Sequence, residues 1–361
     1  MRKNYSNLIQ NVKQRSNPDS INESLLFEKS FSDELGQLKS SGTEVLEYIK
    51  RSMNGVEARY TERTIEAGDK VKGHLKKNNS SVDYRYQGSV MSNTHIKGHS
   101  DIDLIQLTSS FYSHEIAQNF SNRYFSEPNM SFSQKQKLLN VINGTPYSGN
   151  SNTDLRLLRL NAEVVLFSTY KNVDIDKPKS IEVNPTEPNR IVDVVTASWY
   201  RTVDSEFNED EILRGIQIYD KKKNESLAVD FPFLKISLIN KKSKETGGRL
   251  KKMIRFTKTL KADSQQNLKG FSSFDICSIC YNIPIHQYFN LSYYQLVYVL
   301  HQEFKKISEN EVYRNSIKSI DGTEYIFYNK PEKIRLLRLL YQEIVDVYQD
   351  LLPNTTALRF L

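Results

Sequence analysis

The spacing of apolar residues along the chain changes from helical to extended and back to helical. Apolar side chains three or four positions apart predict an amphipathic helix over about 41–56, with a break at Asn54-Gly55, and its continuation to about residue 79. Residues 101–107 are rich in Ile and Leu and predict a strand. A helix is expected to begin at a cap on Thr153 or Asp154, and two strand-like runs, 180–184 and 190–200, follow it.

Beyond residue 202 the pattern is mostly helical, with a few interruptions. Residues 217–229 are polar and predict a hairpin or loop with Lys221, Lys222 and Lys223 at an exposed tip. Residues 325–328 have a strand-like pattern, and Pro331 is typical of the first position of a final helix.

These elements predict an α+β protein with three segments. Residues 1–40 are polar and are expected to be flexible, with one short helix near 25–35. Residues 41–204 are expected to form a sheet-containing core that begins with a long helix, and residues 205–361 a mainly helical lobe.

Composition limits the class of protein more than its function. The chain has 361 residues, 26% of them charged and 38% hydrophobic, which is typical of a globular protein. Its net charge of +7 favours a partner that carries phosphates, such as a nucleoside triphosphate (NTP) or a nucleic acid.

The sequence shows neither an apolar run of the ~20 residues that span a membrane nor the core of a signal peptide, so we expect a cytoplasmic protein without membrane contact. Cys277 and Cys280 are the only cysteines and have no second Cys or His pair nearby, so we interpret them as packing residues.

Two aspartates in the predicted strand 101–107 are the first candidates for chemistry. Because side chains alternate along a strand, Asp101 and Asp103 lie on one face and Ile102 and Leu104 on the other. Two carboxylates this close repel each other, and a divalent cation such as Mg²⁺ relieves the repulsion while binding substrate phosphates. The small residues Gly88-Ser89 before the strand would let backbone N–H groups approach those phosphates. A pair of this kind is also common at a solvent-exposed strand end that binds no metal.

A third aspartate interrupts the apolar run 190–200. Asp193 is flanked by valines, where a carboxylate is costly unless it is paired or bound to metal. The alternatives are an aspartate that faces solvent at a sheet edge, and Glu182 in the adjacent run as the acidic residue of the site.

The spacing of Gly88-Ser89, eleven residues and then Asp101-Ile102-Asp103-Leu104 resembles the signature of the polymerase-β-like nucleotidyltransferase superfamily. Thr94-His95-Ile96 and Ser100 resemble the version found in cyclic GMP–AMP synthase and the bacterial CD-NTases. The resemblance implies a mixed, twisted sheet backed by helices, with a helical lobe that closes a cleft over it. It also implies that Asp193 joins Asp101 and Asp103 in binding two Mg²⁺ ions, for which Mn²⁺ is a possible substitute.

The reaction implied by this resemblance is transfer of a nucleotidyl group from an NTP to a ribose hydroxyl with release of pyrophosphate. Repetition on the linear intermediate would close a cyclic di- or trinucleotide, and ATP is expected among the substrates. Gly88 and Ser89 would orient the triphosphate, Lys258 would contact a phosphate, and Ser273-Phe274 would face a phosphate and a base. Without the resemblance, Phe274 is more typical of a core residue.

The bacterial branch implies a monomer that makes a second messenger for a downstream effector in CBASS-like anti-phage signalling. No Cys/His cluster resembles the zinc insert of the animal relative, so we expect no nucleic-acid activator. Two alternatives stay open. One is another enzyme of the superfamily that makes linear 2′–5′ oligonucleotides or modifies a small acceptor, and the other is a catalytically silent nucleic-acid-binding module. The bases, the linkage and the ring size do not follow from the sequence.

Overall fold

The structure is a computed structural model that describes residues 3–14, 43–78, 82–96, 98 and 101–354. The chain divides into two compact units. Residues 58–92 and 101–237 form one, here the sheet unit, and residues 1–57, 93–100 and 238–361 form the other, here the helical unit. The predicted helix near 25–35 lies outside the described residues.

The sheet unit is built on a seven-stranded mixed sheet. Its strands are β1 (Val82–Gln87), β2 (Ile102–His114), β3 (Val173–Asp174), β4 (Ser180–Val183), β5 (Val192–Arg201), β6 (Gly215–Asp220) and β7 (Glu225–Ser226). The order is β1-β2-β5-β4-β3, and β6 pairs with both β5 and β7. Strands β2 and β5 are parallel, whereas the other pairs are antiparallel. The sheet therefore continues beyond residue 204, where the sequence predicted the boundary of the core.

Helices make up most of the remaining described structure. They are α1 (Tyr5–Gln14), α2 (Thr43–Met53), α3 (Ala58–Asn78), α4 (Ala117–Ser126), α5 (Phe132–Ile142), α6 (Ser151–Thr169), α7 (Val203–Phe207), α8 (Pro232–Glu245), α9 (Arg249–Asp263), α10 (Ser273–Asn282), α11 (Tyr293–Glu309), α12 (Glu311–Ser316) and α13 (Pro331–Leu351). Short 3₁₀ turns lie at Glu211–Leu213, Ile285–Gln287 and Leu352–Asn354. None of the helices in the described part of the chain is long and apolar enough to cross a membrane.

The core of the sheet unit explains the alternation in β2. Ile102 and Leu104 are fully buried in one cluster with Val71 of α3 and Leu166 of α6. Valines of β5 complete this cluster, so one face of the sheet is covered by two helices. Asp103, between these two apolar residues, consequently projects from the opposite face.

The helical unit has a separate core in which helices α2, α9, α10, α11 and α13 contribute most of the buried side chains. Cys277 and Cys280 lie in this core, as predicted, and Pro331 begins α13. Residues 325–328 do not form the predicted strand, because their only ladder contact is an isolated bridge between Lys318 and Tyr325.

Candidate active site

The parallel pairing of β2 and β5 brings the candidate aspartates together. Asp103 and Asp193 are direct partners across the two strands. Asp101 lies two residues earlier than Asp103, just before β2 begins at Ile102. The sheet unit thus places all three predicted carboxylates at the same ends of two neighbouring strands.

The electrostatics of Asp103 show how crowded these carboxylates are. Burial, together with the charges of Asp193 and Asp101, raises the pKa of Asp103 to about 7. Desolvation and the charge of Asp193 also raise the pKa of Asp101. Both aspartates are therefore more readily protonated than an ordinary aspartate, and a bound cation would favour their charged forms.

Gly88 approaches Asp103 more closely than any other residue type would allow. Its φ is +89°, and a Cβ on Gly88 would lie 2.5 Å from Oδ2 of Asp103. Ser89 follows in the same turn, which Ser92 closes by donating its backbone N–H to the carbonyl of Gly88 at 3.4 Å. The predicted Gly-Ser turn therefore lies directly beside the acidic strand.

Asp193 is held by two neighbours that the sequence did not single out. Ser180 Oγ donates to Asp193 Oδ1 at 2.9 Å, and Lys177 Nζ donates to the same oxygen at 3.3 Å. Glu182 lies opposite Asp193 across β4 and β5, and it accepts a short hydrogen bond from Lys177. Glu182, the alternative acidic residue, is thus paired with a lysine. These contacts depend on the register between β4 and β5, which sequence patterns do not reveal.

A buried charged network fixes the loop that carries Lys177. Arg159 of α6 is fully buried and donates to Glu163 at 2.8 Å and to the carbonyls of Ile175 and Lys177 at 3.2 and 3.0 Å. Lys221 donates to the same Glu163 at 2.8 Å. Residues 217–229 contain the predicted hairpin, and its turn carries Lys221, Lys222 and Lys223. Lys222 and Lys223 are exposed as predicted, whereas Lys221 is half-buried beside Glu163.

The helix that carries the network is capped differently from the prediction. The sequence placed the cap of α6 at Thr153 or Asp154. The structure places it at Asn150, whose side chain accepts from the backbone N–H of Thr153 at 3.0 Å.

The three other predicted nucleotide contacts lie in the helical unit. Lys258 is buried and donates to the carbonyl and the hydroxyl of Thr94 at 3.0 and 3.3 Å, so it holds the loop between Gly88 and Asp101. Ser273 is the first residue of α10, and Phe274 is half-buried against the core of the helical unit. Their nucleotide-binding roles stay predictions.

The acidic residues fit a divalent cation by their chemistry. Carboxylate oxygens are the hard ligands that Mg²⁺ prefers, and the repulsion among Asp101, Asp103 and Asp193 would fall when a cation bound. Within the described residues, no set of three Asp, Glu, His or Cys side chains already converges on a single metal position.

The chain is similar over almost its full length to bacterial proteins named c-di-GMP synthases. Residues 237–349 match the family described as "cGAS/DncV-like nucleotidyltransferase C-terminal helical domain". A c-di-GMP synthase from Flavobacteriaceae sp. is 43% identical, covering 97% of this chain and 98% of that protein. A c-di-GMP synthase from Capnocytophaga granulosa is 44% identical with the same coverage of both chains. The structure of a STING-associated CdnE c-di-GMP synthase from Flavobacteriaceae sp. matches with a TM-score of 0.82 at 38% identity, covering 98% of this chain and 100% of that one.

Proposed function

Because the chain belongs to the cGAS/DncV-like nucleotidyltransferase (CD-NTase) family, we propose that it joins two GTP molecules into cyclic di-GMP. The observation that carries this proposal is the identity of 43% and 44% to two c-di-GMP synthases over nearly the whole chain. In each step a ribose hydroxyl would form a bond to an α-phosphorus, and the α–β phosphate bond would break to release pyrophosphate. GTP takes the place of the ATP that the sequence led us to expect.

In this proposal Asp101, Asp103 and Asp193 hold two Mg²⁺ ions, or Mn²⁺ in their place. When bound, these ions supply charge stabilisation for the attacking hydroxyl and for the leaving pyrophosphate. Asp193 has one oxygen, Oδ1, engaged by Ser180 and Lys177, and in the part of the chain that the structure describes no hydrogen bond reaches Oδ2. The second oxygen is therefore available to accept the proton of the acceptor hydroxyl.

Gly88 and Ser89 have complementary tasks in the same scheme. The positive φ of Gly88 and its lack of a side chain bring the backbone of the turn next to Asp103. A triphosphate bound by the turn would then lie beside the carboxylates, with the Ser89 hydroxyl available to orient it. This proximity favours catalysis at Asp101 and Asp103 over a silent binding module.

We extend the proposal to signalling. The match to a synthase described as STING-associated supports a downstream effector of the STING type that binds the cyclic dinucleotide. This fits the CBASS-like anti-phage role expected from the sequence.

Product analysis with defined nucleotides tests the proposed reaction. The purified full-length protein is incubated with each NTP alone and with all four, in Mg²⁺ or Mn²⁺, and products are resolved by mass spectrometry after phosphatase treatment. GTP alone should give a phosphatase-resistant product with the mass of cyclic di-GMP. Asp103→Asn should abolish it, whereas Asp83→Asn, at an exposed position of the neighbouring strand β1, should not.

The possible failures have different meanings. A product that requires ATP would refute the choice of base but keep the family chemistry. A phosphatase-sensitive product would indicate the linear oligonucleotides of the first alternative. If no product forms and RNA or DNA binds with an affinity that falls steeply with salt, the silent nucleic-acid-binding module is favoured.

A further inference from the structure

A lysine that the proposed chemistry does not use lies within the acidic site. Lys177 Nζ contacts Asp193 Oδ1 at 3.3 Å and makes a short ion pair with Glu182. Its side chain is 36% exposed, while that of Asp193 is 15% exposed. The ammonium group thus lies where it reaches two carboxylates and still contacts solvent.

The carboxylates of Glu182 and Asp193 repel each other unless a cation lies between them. Glu182 and Asp193 are direct cross-strand partners, and like charges in that arrangement destabilise a sheet. Asp101 and Asp103 add further negative charge, since the charge of Asp193 raises the pKa of both. Lys177 offsets this repulsion in the protein without a divalent ion.

The position of Lys177 is built into the fold. Its carbonyl and that of Ile175 accept hydrogen bonds from the buried guanidinium of Arg159. The next residue, Pro178, accepts a hydrogen bond from the backbone N–H of Lys221 at 2.8 Å. A backbone anchored from α6 and from the β6–β7 hairpin directs one particular lysine to the site, whereas Lys179, two residues later, is exposed.

We infer that Lys177 is a resident counter-cation of the acidic site that holds Asp193 when no divalent ion is bound and competes with that ion for the cluster. Ser180 and Lys177 bind the same oxygen of Asp193, which leaves Oδ2 for the ion and the acceptor hydroxyl. Lys177 is accordingly a positioning residue rather than a catalytic one. The inference rests on the proposed function only in assuming that these aspartates bind a divalent ion.

If Lys177 competes with the divalent ion, removing its charge should change both the metal affinity and the stability in a defined direction. A unit positive charge a few ångströms from a divalent ion opposes its binding, so removing that charge should tighten binding about three- to tenfold at a half-exposed site. The same removal should destabilise the metal-free protein, because Glu182 and Asp193 then repel each other without compensation. Loss of a surface ion pair with no relation to the metal site could lower the melting temperature slightly, but it would leave the Mn²⁺ affinity unchanged.

The experiment compares Lys177→Met, Lys177→Arg and the control Lys179→Met in the full-length protein without nucleotide. Mn²⁺ binding is measured by electron paramagnetic resonance of the free ion, and thermal unfolding is followed in EDTA and in saturating Mn²⁺. We expect Lys177→Met to bind Mn²⁺ more tightly and to melt at a lower temperature than wild type in EDTA, with this difference reduced in Mn²⁺. Lys177→Arg, which keeps the charge, and Lys179→Met should stay close to wild type.

Two results would overturn the inference. Unchanged Mn²⁺ affinity in Lys177→Met, whatever the melting temperature, would show that Lys177 does not compete with the ion, and weaker Mn²⁺ binding would show that it assists the ion. Neither readout requires turnover, so a failure of the proposed reaction would leave this test intact. Conversely, wild-type metal binding by Lys177→Met in a protein that makes cyclic di-GMP would refute only the role of Lys177.

Discussion

Replacement of Gly88 by alanine changes the candidate active site by a single methyl group. The new Cβ would lie 2.5 Å from Oδ2 of Asp103, whereas ordinary van der Waals contacts begin at 3.4 Å. The carboxylate must therefore move by about 1 Å or the turn must open. In addition, the φ of +89° at Gly88 is a conformation that residues with a Cβ rarely adopt.

The strained backbone at Gly88 should affect stability, whereas the contact with Asp103 should affect turnover. The backbone conformation at Gly88 should reduce the free energy of unfolding by about 1–2 kcal/mol, which lowers the melting temperature by roughly 2–8 °C. A displacement of about 1 Å in a group that orients the reaction costs on the order of 100-fold in turnover. We therefore expect Gly88→Ala to stay folded and to lose most of its activity.

The assay is initial-rate pyrophosphate release with GTP, together with thermal unfolding of the same preparations. Gly73→Ala is the matched control, because Gly73 is exposed in helix α3 and an added Cβ there would meet nothing within 4 Å. That variant should gain about 0.5–1 kcal/mol of stability and keep its turnover. Near-wild-type turnover by Gly88→Ala would refute the placement of Gly88 against a catalytic Asp103.

Three further predictions concern the charges of the sheet unit. Asp103→Asn should lose turnover by at least about 1,000-fold. In EDTA at pH 8 the same variant should melt at a higher temperature than wild type, because it removes a charge that burial and the neighbouring aspartates disfavour. A lower melting temperature than wild type would contradict this. Because the pKa of Asp103 is raised from 3.8 to about 7, its stabilising contribution in the metal-free protein is complete below about pH 4 and is lost as the pH rises through 7. Thermal unfolding in EDTA should therefore show a loss across that window, while Mn²⁺ titrations should show an affinity that increases from pH 6 to pH 8. Arg159→Met should reduce the free energy of unfolding by about 1–3 kcal/mol, because the carbonyls of Ile175 and Lys177 would lose their donor while Glu163 would keep Lys221 as its partner; no measurable loss in chemical denaturation would contradict it.

Much of the candidate site follows from short sequence patterns. The alternation of Asp101-Ile102-Asp103-Leu104 is sufficient to separate the acidic face from the apolar one, and the structure confirms this separation. The apolar run around Asp193 correctly indicated a strand, and the family resemblance implied that this strand lies next to the one that carries the first two aspartates. These features are readable because they depend on periodicity and on the cost of burying a charge.

The features that sequence analysis missed depend on pairing between distant segments. Lys177 reaches Asp193 only because β4 and β5 pair in one register, and Lys221 is half-buried because it contacts Glu163, which lies 58 residues away in the sequence. The cap of α6 was misplaced because Asn150, Thr153 and Asp154 are all residue types that favour such a cap. Lys258 donates a hydrogen bond to Thr94, which lies 164 residues away in the sequence, so no local pattern could indicate this contact.

The composition of the helical unit affects how this protein can be recombined with its relatives. The family match covers residues 237–349, but Arg255 in that segment donates to the carbonyls of Met53 and Asn93 at 2.9 and 2.8 Å. Ile49 and Met53 also belong to the same core as Met253 and Ile254. A chimera joined at residue 237 would therefore combine a helical segment from one parent with core residues from the other. Exchange between relatives should succeed more often when residues 43–57 and 93–100 are transferred together with the C-terminal segment.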